Sequence, residues 1–379
     1  MAEFHKHEFT NETLLKLEIF QGYTREWLPV FLSGGAAVTH VNVFDFFAGP
    51  GADTSGEPGS PLIIASEVKA YLDDTTRPHA SGQMVRLVFN DKIQRKCALL
   101  KGHLAGHTGD PRFIVEVWNL DFAEAYARAL PLIRDKESAN LIIMDQFGFR
   151  HVTPEVLREL TACPRTDIIF FVSSSHIRRF ISADEIRRHV SMPAEQLRRV
   201  SNTEIHRFLC REYYQRMLPP GLDYNLVPFS IRKGANIYGL VFGTGSLLGL
   251  EKFLRVCWSK DKVSGDANFN IDHDLLRDQP GQLALFDEDR VPKKQHRFEH
   301  DLREFLRSAK DATNCDTYRY TLKDGFLPRH AGDILKQWQA AGELDVRRLD
   351  GQPARRGAFY LTWSDYKVGP SVCFSVRGF

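Results

Sequence analysis

The feature that most constrains this chain is a rhythm. Between residues 41 and 172, short apolar runs alternate with amphipathic ones, and the first run closes on Asp45-Phe-Phe-Ala-Gly-Pro-Gly51. The runs Val41–Phe47, Val85–Phe89, Phe113–Val117, Leu141–Met144 and Ile168–Val172 are strand-sized. Between them, Ser60–Leu72, Ile93–Lys101, Phe122–Ile133 and Pro154–Thr161 read as helices. Parallel strands buried on both faces are near-continuously apolar and need helical crossovers, so the rhythm predicts a parallel sheet with helices on both faces. An amphipathic helix, Thr10–Phe31, precedes it. Asn225–Ile231 and Ile237–Gly243 read as an antiparallel pair, followed by a helix from Leu248 to Trp258.

The first turn is where such a sheet would bind a ligand. Glycine lets the backbone turn sharply and approach other groups closely. The crevice beyond the carboxyl ends of parallel strands is the usual binding place. Gly49 and Gly51 lack the third glycine of a dinucleotide fingerprint, because Thr54 stands there, and no Gly-Lys-Ser/Thr follows to cradle phosphate. An adenosyl cofactor carrying methionine needs acids and rings instead. Asp45 and Phe47 lie in the turn itself. Asp91 ends the second strand, suited to ribose hydroxyls, and Asp121 ends the third, suited to an adenine amino group. Acids in such places also serve as helix N-caps. The fourth strand ends in Asp145-Gln-Phe-Gly148. There Asp145 and the Gln146 carbonyl would accept from a target amine, and Phe147 would stack on a base.

Charge and cysteine content narrow the rest. The chain of 379 residues has a net charge of +2, but residues 290–379 carry +6 and the remainder −4. A basic tail on a near-neutral body points to a polyanionic partner. The six cysteines are scattered without a CxxC pair, which predicts reduced thiols in a cytoplasmic protein and no zinc site. His103 and His107 are flanked by glycines and read as loop, not as a helical metal pair. Met1–His7 has no apolar core for a signal peptide, and no run approaches a membrane span.

Taken together, these motifs resemble the three-Cys-motif partner (TcmP) family. The resemblance rests on Lys16-Leu-Glu-Ile19, Trp27-Leu-Pro29, Phe44–Gly51, Gly59-Ser-Pro61, Asp145–Gly148, Tyr238–Thr244, Gly249-Leu-Glu251 and Trp258, in that order. It implies a Rossmann-like methyltransferase sheet, mostly parallel with an antiparallel last strand, and S-adenosylmethionine as cofactor. It also implies a radical-SAM-like partner that carries the three cysteines. The family's fourth-strand motif is Asp-Pro-Phe-Gly; Gln146 stands here in place of the proline, and the rigid turn is lost.

The expected organisation is a first domain over residues 1–262, a polar linker over 263–296 and a second domain over 297–379. Residues 176–217 form an Arg-rich helical insertion in the first domain, read as a salt-bridged cap or a lid. In the second domain, helix Phe298–Lys310, strand Thr317–Leu322, helix Pro328–Ala341 and strands Leu344–Leu349 and Ala358–Trp363 make a winged-helix pattern. Arg347, Arg348, Arg355 and Arg356 would ring the wing, with Arg329 and Lys336 on the groove-facing helix, as nucleic-acid contacts. In the linker, Gln282-Leu-Ala-Leu-Phe286 resembles a sliding-clamp docking peptide. Three functions follow: methyl transfer to a base or nucleotide, non-catalytic sensing of an adenosine-like ligand, and a metal-dependent nuclease built on Asp45, Asp91 and Asp145.

Overall fold

The computed structural model describes residues 8–34, 38–78, 82–146, 150–181, 192–274, 291–309 and 311–377. The chain divides into two compact units, residues 1–256 and 257–379. In the first unit, α1 (Asn11–Leu32) precedes β1 (His40–Asp45), α2 (Ser60–Asp73), β2 (Met84–Asn90), α3 (Gln94–His103), β3 (Phe113–Trp118) and α4 (Phe122–Arg134). Then come β4 (Ser138–Met144), α5 (Pro154–Thr161), β5 (Thr166–Val172), α6 (Ser174–Phe180), β6 (Asn225–Lys233) and β7 (Asn236–Thr244).

The seven strands form one sheet in the order β3-β2-β1-β4-β5-β7-β6. The first five are parallel, and β7 runs antiparallel to both β5 and β6. This is the expected mostly parallel sheet with an antiparallel last strand. Its strand order reverses between β1 and β4, so the loops after these two strands border the crevice at the switch point. Asp45 ends β1 and Asp145 follows β4 directly.

α1 packs on the sheet through its aromatic stripe. The Tyr23 ring lies edge-on to Phe242 at 4.7 Å, and its hydroxyl donates to Asp167 Oδ2 at 2.7 Å. Of the Arg-rich insertion, residues 182–191 lie outside the described residues; the rest is helical as expected. Ala194–Arg199 and Ile205–Phe208 are helices, and Leu209–Tyr214 winds as a π turn. Its inner face is apolar: Leu197, Ile205, Leu209 and Cys210 are fully buried.

In the second unit the sequence-predicted boundary moves. Residues 261–274 are folded rather than linking. Asp261 accepts from Val263 N and Ser264 Oγ, and Lys294 donates to Asp266 Oδ1 at 2.9 Å and to the Ser264 carbonyl at 2.7 Å. Lys294 is 4% exposed, and its ammonium lies 4.8 Å from the Phe326 ring centroid. Polarity read as linker is therefore a buried ion pair. Gln282–Phe286 lies outside the described residues.

The unit is a winged helix. A helix over Lys293–Ser308, strand β8 (Ala312–Thr313), two helices over Asn314–Lys323 and Pro328–Ala340, then β9 (Leu344–Arg348) and β10 (Val372–Val376) follow one another. Its sheet has the order β8-β10-β9. Two expectations fail here. Thr317–Leu322, rich in β-branched and aromatic residues, is helical. Thr313 and Asp316 form a capping box, and the Thr317 and Thr321 hydroxyls bond back to carbonyls four residues earlier. Ala358–Trp363 is not a strand either. The backbone turns left-handed at Gly357 and Tyr360, and Thr362 caps a short helix, Trp363–Val368. The second wing strand is β10, so the wing spans residues 349–371. No described helix is long and apolar enough to cross a membrane.

Candidate active site at the carboxyl ends of the strands

β1 delivers Asp45 into a buried position, 1% exposed. Its Oδ1 accepts from Phe47 N at 3.0 Å and its Oδ2 from Ser60 Oγ at 2.6 Å, so the acid fixes both ends of the loop that leads to α2. Burial pushes its pKa up to about 7; the Ser60 and Phe47 hydrogen bonds oppose this, the Asp145 charge adds to it, and the Lys16 charge opposes it. The buried end of β1 thus holds a carboxyl that titrates near neutrality.

Gly49 and Gly51 both take left-handed backbone, at φ 66° and 91°. A Cβ at Gly51 would stand 2.8 Å from Leu100 Cδ1 and 3.3 Å from His103 Nδ1. His103 Nδ1 also lies 2.8 Å from the Pro50 carbonyl. The close approach at Gly51 is made by α3, and the space there is not left to a ligand. His103 is thereby a seat for the turn.

Across the switch point, Lys16 reaches from α1 and donates to Asp145 Oδ2. The same ammonium stands 5.1 Å from the Phe171 ring centroid. Asp145 Oδ1 accepts no hydrogen bond among the described residues. Gln146 is buried, and its side chain makes two hydrogen bonds: Oε1 accepts from His151 N at 2.8 Å and Nε2 donates to the Phe171 carbonyl at 3.4 Å. Phe147 lies outside the described residues.

The two remaining acids behave differently. Asp91 Oδ1 accepts from Ile93 N at 2.8 Å, and Oδ2 stands 3.6 Å from Lys96 Nζ. Asp121 is exposed and caps α4, its Oδ1 accepting from Ala123 N and Glu124 N. Next to it are three half-buried rings. Phe47 stacks on Phe122 with centroids 5.5 Å apart, and His151 touches both, at 5.2 and 4.8 Å. These rings gather at the ends of β1, β3 and β4. Phe122, His151, Lys16 and Ser60 were not singled out as site residues from sequence. Phe122 is signalled by its place after Asp121, Ser60 by Gly59-Ser-Pro61 and Lys16 by Lys16-Leu-Glu-Ile19; His151 has no local signal.

A separate cleft of about 470 Å³, lined by Arg134, Arg158, Glu159 and Cys163, lies where α4 and α5 lead into β4 and β5. That is the amino end of the strands, opposite the crevice. Behind the sheet's edge, Ser174 Oγ meets His206 Nδ1 at 2.8 Å, and His206 Nε2 donates to the Leu240 carbonyl. Burial holds the His206 pKa down at about 4. Both residues are fully buried, so the pair ties the insertion to β7 rather than acting on a substrate. Among the described residues no His, Cys, Asp and Glu side chains gather to hold a metal ion.

In the second unit, Arg329 and Lys336 are exposed on the helix Pro328–Ala340, and Arg347, Arg348, Arg355 and Arg356 are exposed around the wing. Arg347 pairs with Asp345 at 2.7 Å and Arg348 with Asp350 at 3.2 Å. Arg355 and Arg356 have no acidic partner among the described residues. Fully buried Asn314 holds the wing's ends together: its Nδ2 donates to the Tyr360 carbonyl, and its Oδ1 accepts from Ser371 N and Val372 N.

Residues 270–351 match the profile described as a GMT-like wHTH domain, a winged helix-turn-helix. No curated protein sequence matches the chain. Among solved structures, it is similar to an O-methyltransferase from Bacillus cereus in complex with SAH, at 12% identity and TM-score 0.32, over 59% of this chain and 79% of that one. It is also similar to an O-methyltransferase of tomaymycin synthesis from Streptomyces achromogenes in complex with SAM, at 12% identity and TM-score 0.31, over 62% and 90%. A SAM-dependent methyltransferase from Agrobacterium tumefaciens aligns at 13% identity and TM-score 0.33, over 64% of each chain.

Proposed function

We propose that the chain transfers a methyl group from S-adenosylmethionine to an amino group of a nucleic-acid base or nucleotide. The observation that carries this reading is the arrangement across the switch point: buried Asp45 ends β1, Asp145 follows β4, and Lys16 donates to Asp145 with its ammonium 5.1 Å from the Phe171 ring centroid. The donor set fits an adenosyl cofactor. Half-buried Phe47, Phe122 and His151 offer ring faces to adenine, and Asp91 Oδ2 offers an acceptor to ribose hydroxyls. Asp45, together with the Gly49 turn, puts negative charge where a cationic ligand gains from it. When bound, the cofactor supplies an electrophilic methyl group.

The chain's own work is alignment. Lys16 holds the Asp145 carboxylate through Oδ2, which leaves Oδ1 to accept an N–H of the target amine and fix the direction of its lone pair. Holding two reactants in register supplies several kcal/mol of the acceleration of a direct displacement, up to roughly 7–11 in favourable cases. Gln146 ties the end of β4 to His151 and to β5. The winged helix, with its free Arg355 and Arg356, holds the nucleic acid. A radical-SAM-like partner, implied by the family resemblance, would work with the chain.

The test is calorimetric titration with S-adenosylmethionine, followed by transfer of labelled methyl to single-stranded DNA, duplex DNA and RNA. Binding with transfer that Asp145→Ala abolishes supports the reading. A second reading, a sensor without catalysis, is favoured by the Lys16 hold on Asp145, which an incoming amine must share. Tight binding with no transfer to any of the three acceptors, or to free AMP and CMP, selects it and overturns the first.

A further inference from the structure

The acceptor needs a surface to lie on, and the structure offers one beside Asp145. Phe171 on β5 and Tyr238 on β7 stack with centroids 5.7 Å apart and planes within 18°. Both rings are only partly buried. The Lys16 ammonium lies over the Phe171 ring while it holds Asp145, and Gln146 bonds the Phe171 carbonyl. One contiguous group therefore joins two aromatic faces, a carboxylate with a free oxygen and a cation. β7 runs antiparallel to β5 here, with Val172 opposite Gly239. Gly239 itself faces the other side of the sheet, where a Cβ would stand 2.2 Å from His206 Nε2, so Tyr238 and Phe171 share the face away from His206.

We infer that Phe171 and Tyr238 form the platform on which the acceptor's base stacks, its exocyclic amine directed at Asp145. This deepens the proposed function and rests on it. A flat heteroaromatic ring with an N–H donor on its edge satisfies each element: rings below, the acceptor oxygen at the rim, and the Lys16 charge for an electron-rich face or a phosphate. An aliphatic amine would leave the two ring faces unused. Tyr238 and Phe171 are specificity-determining residues, because they touch the acceptor and not the cofactor.

The experiment titrates the full-length protein with AMP, CMP and a mixed-sequence single-stranded oligonucleotide, each with and without S-adenosylhomocysteine. The variants are Tyr238→Ala, Tyr238→Phe and Phe171→Leu. Base–aromatic stacking typically amounts to about a five- to hundredfold effect on affinity. Tyr238→Ala is therefore expected to weaken nucleotide or oligonucleotide binding about tenfold, with Tyr238→Phe within about threefold of the parent and S-adenosylhomocysteine binding unchanged. Loss on the mononucleotides identifies a free nucleotide as acceptor, and loss on the oligonucleotide alone identifies a strand. Unchanged binding of all three probes to Tyr238→Ala and Phe171→Leu, both folded by circular dichroism, overturns the platform. A parent protein that binds the nucleotides at the platform but not the S-adenosyl ligands overturns the proposed function instead, and the two failures are thus told apart.

Discussion

Asp45 offers the sharpest single test of where the cofactor's positive charge lies. Its pKa stands at about 7 against an ordinary 3.8, mainly because burial strips water from the carboxylate. Keeping it ionised at pH 8 costs the folded protein on the order of 4 kcal/mol, since one unit is about 1.4 kcal/mol. A cation bound nearby recovers part of that cost and favours the ionised form. If binding requires the carboxylate, the apparent Kd scales inversely with its ionised fraction. That fraction is about 0.09 at pH 6 and about 0.9 at pH 8 for a pKa near 7, so affinity for S-adenosylmethionine should rise roughly tenfold, about 1.4 kcal/mol, across the interval. Asp45→Asn keeps an acceptor oxygen for Phe47 N, turns an amide N–H toward Ser60 Oγ, which then accepts, and cannot ionise. Its affinity should show only the cofactor's own amine titration. The assay is calorimetry at half-unit steps from pH 5.5 to 8.5, with parent and variant compared at each step. A parent-minus-variant difference that stays flat would refute the reasoning and leave Asp45 a loop brace with no part in binding.

Other outcomes follow from the same structure. Burial raises the Asp167 pKa to about 6, so the folded state holds that proton more tightly than the unfolded one. The stabilising contribution is complete below about pH 4 and is lost as pH rises through 6. Asp167→Asn should therefore stabilise the first unit by up to about 3 kcal/mol at pH 8 relative to its effect at pH 4, read by denaturant unfolding; a pH-independent difference would sink this. At the wing, Arg355→Ala with Arg356→Ala should weaken oligonucleotide binding and flatten the slope of log affinity against log salt by about 1.5 to 2. An unaltered slope would remove these two arginines from the interface.

The sheet was legible because its signal is local. Each strand is a bounded apolar run, and each crossover helix shows its period within a dozen residues, so the predicted and observed spans differ mainly at their ends. The acids after the strands were legible for the same reason. What the sequence did not distinguish was how each is used: Asp121 caps its helix, Asp45 is sealed inside, and Asp91 divides itself between Ile93 N and Lys96. The failures were tertiary. Thr317–Leu322 has strand propensity, yet a capping box and threonine back-bonds make it a helix. Residues 261–274 look like linker because a buried Lys294–Asp266 pair reads as polar in one dimension. Lys16 stood in a quoted motif, but its pairing with Asp145 was invisible because the two lie 129 residues apart.

That long-range link makes α1 more than a cover for the sheet. Tyr23 meets Asp167 near the start of β5, and Lys16 meets Phe171 near its end. Seven residues of helix span about 10 Å and four residues of strand about 13 Å, so α1 runs antiparallel to β5 as a strut with one anchor at each end. The Tyr23 anchor fixes how far Lys16 reaches toward Asp145. Two sites that far apart with no shared partner normally add within about 0.3 to 0.5 kcal/mol. If the strut sets the reach, Tyr23→Phe and Lys16→Met should instead couple: once Lys16 is gone, loosening the helix at Tyr23 has no further effect on transfer. In a double-mutant cycle on kcat, Tyr23→Phe should slow transfer severalfold in the parent and leave the Lys16→Met background unchanged, while S-adenosylhomocysteine affinity stays constant in all four proteins. Additive losses would mean that Tyr23 contributes stability alone, and that the position of Lys16 is set by its contacts with Asp145 and Phe171.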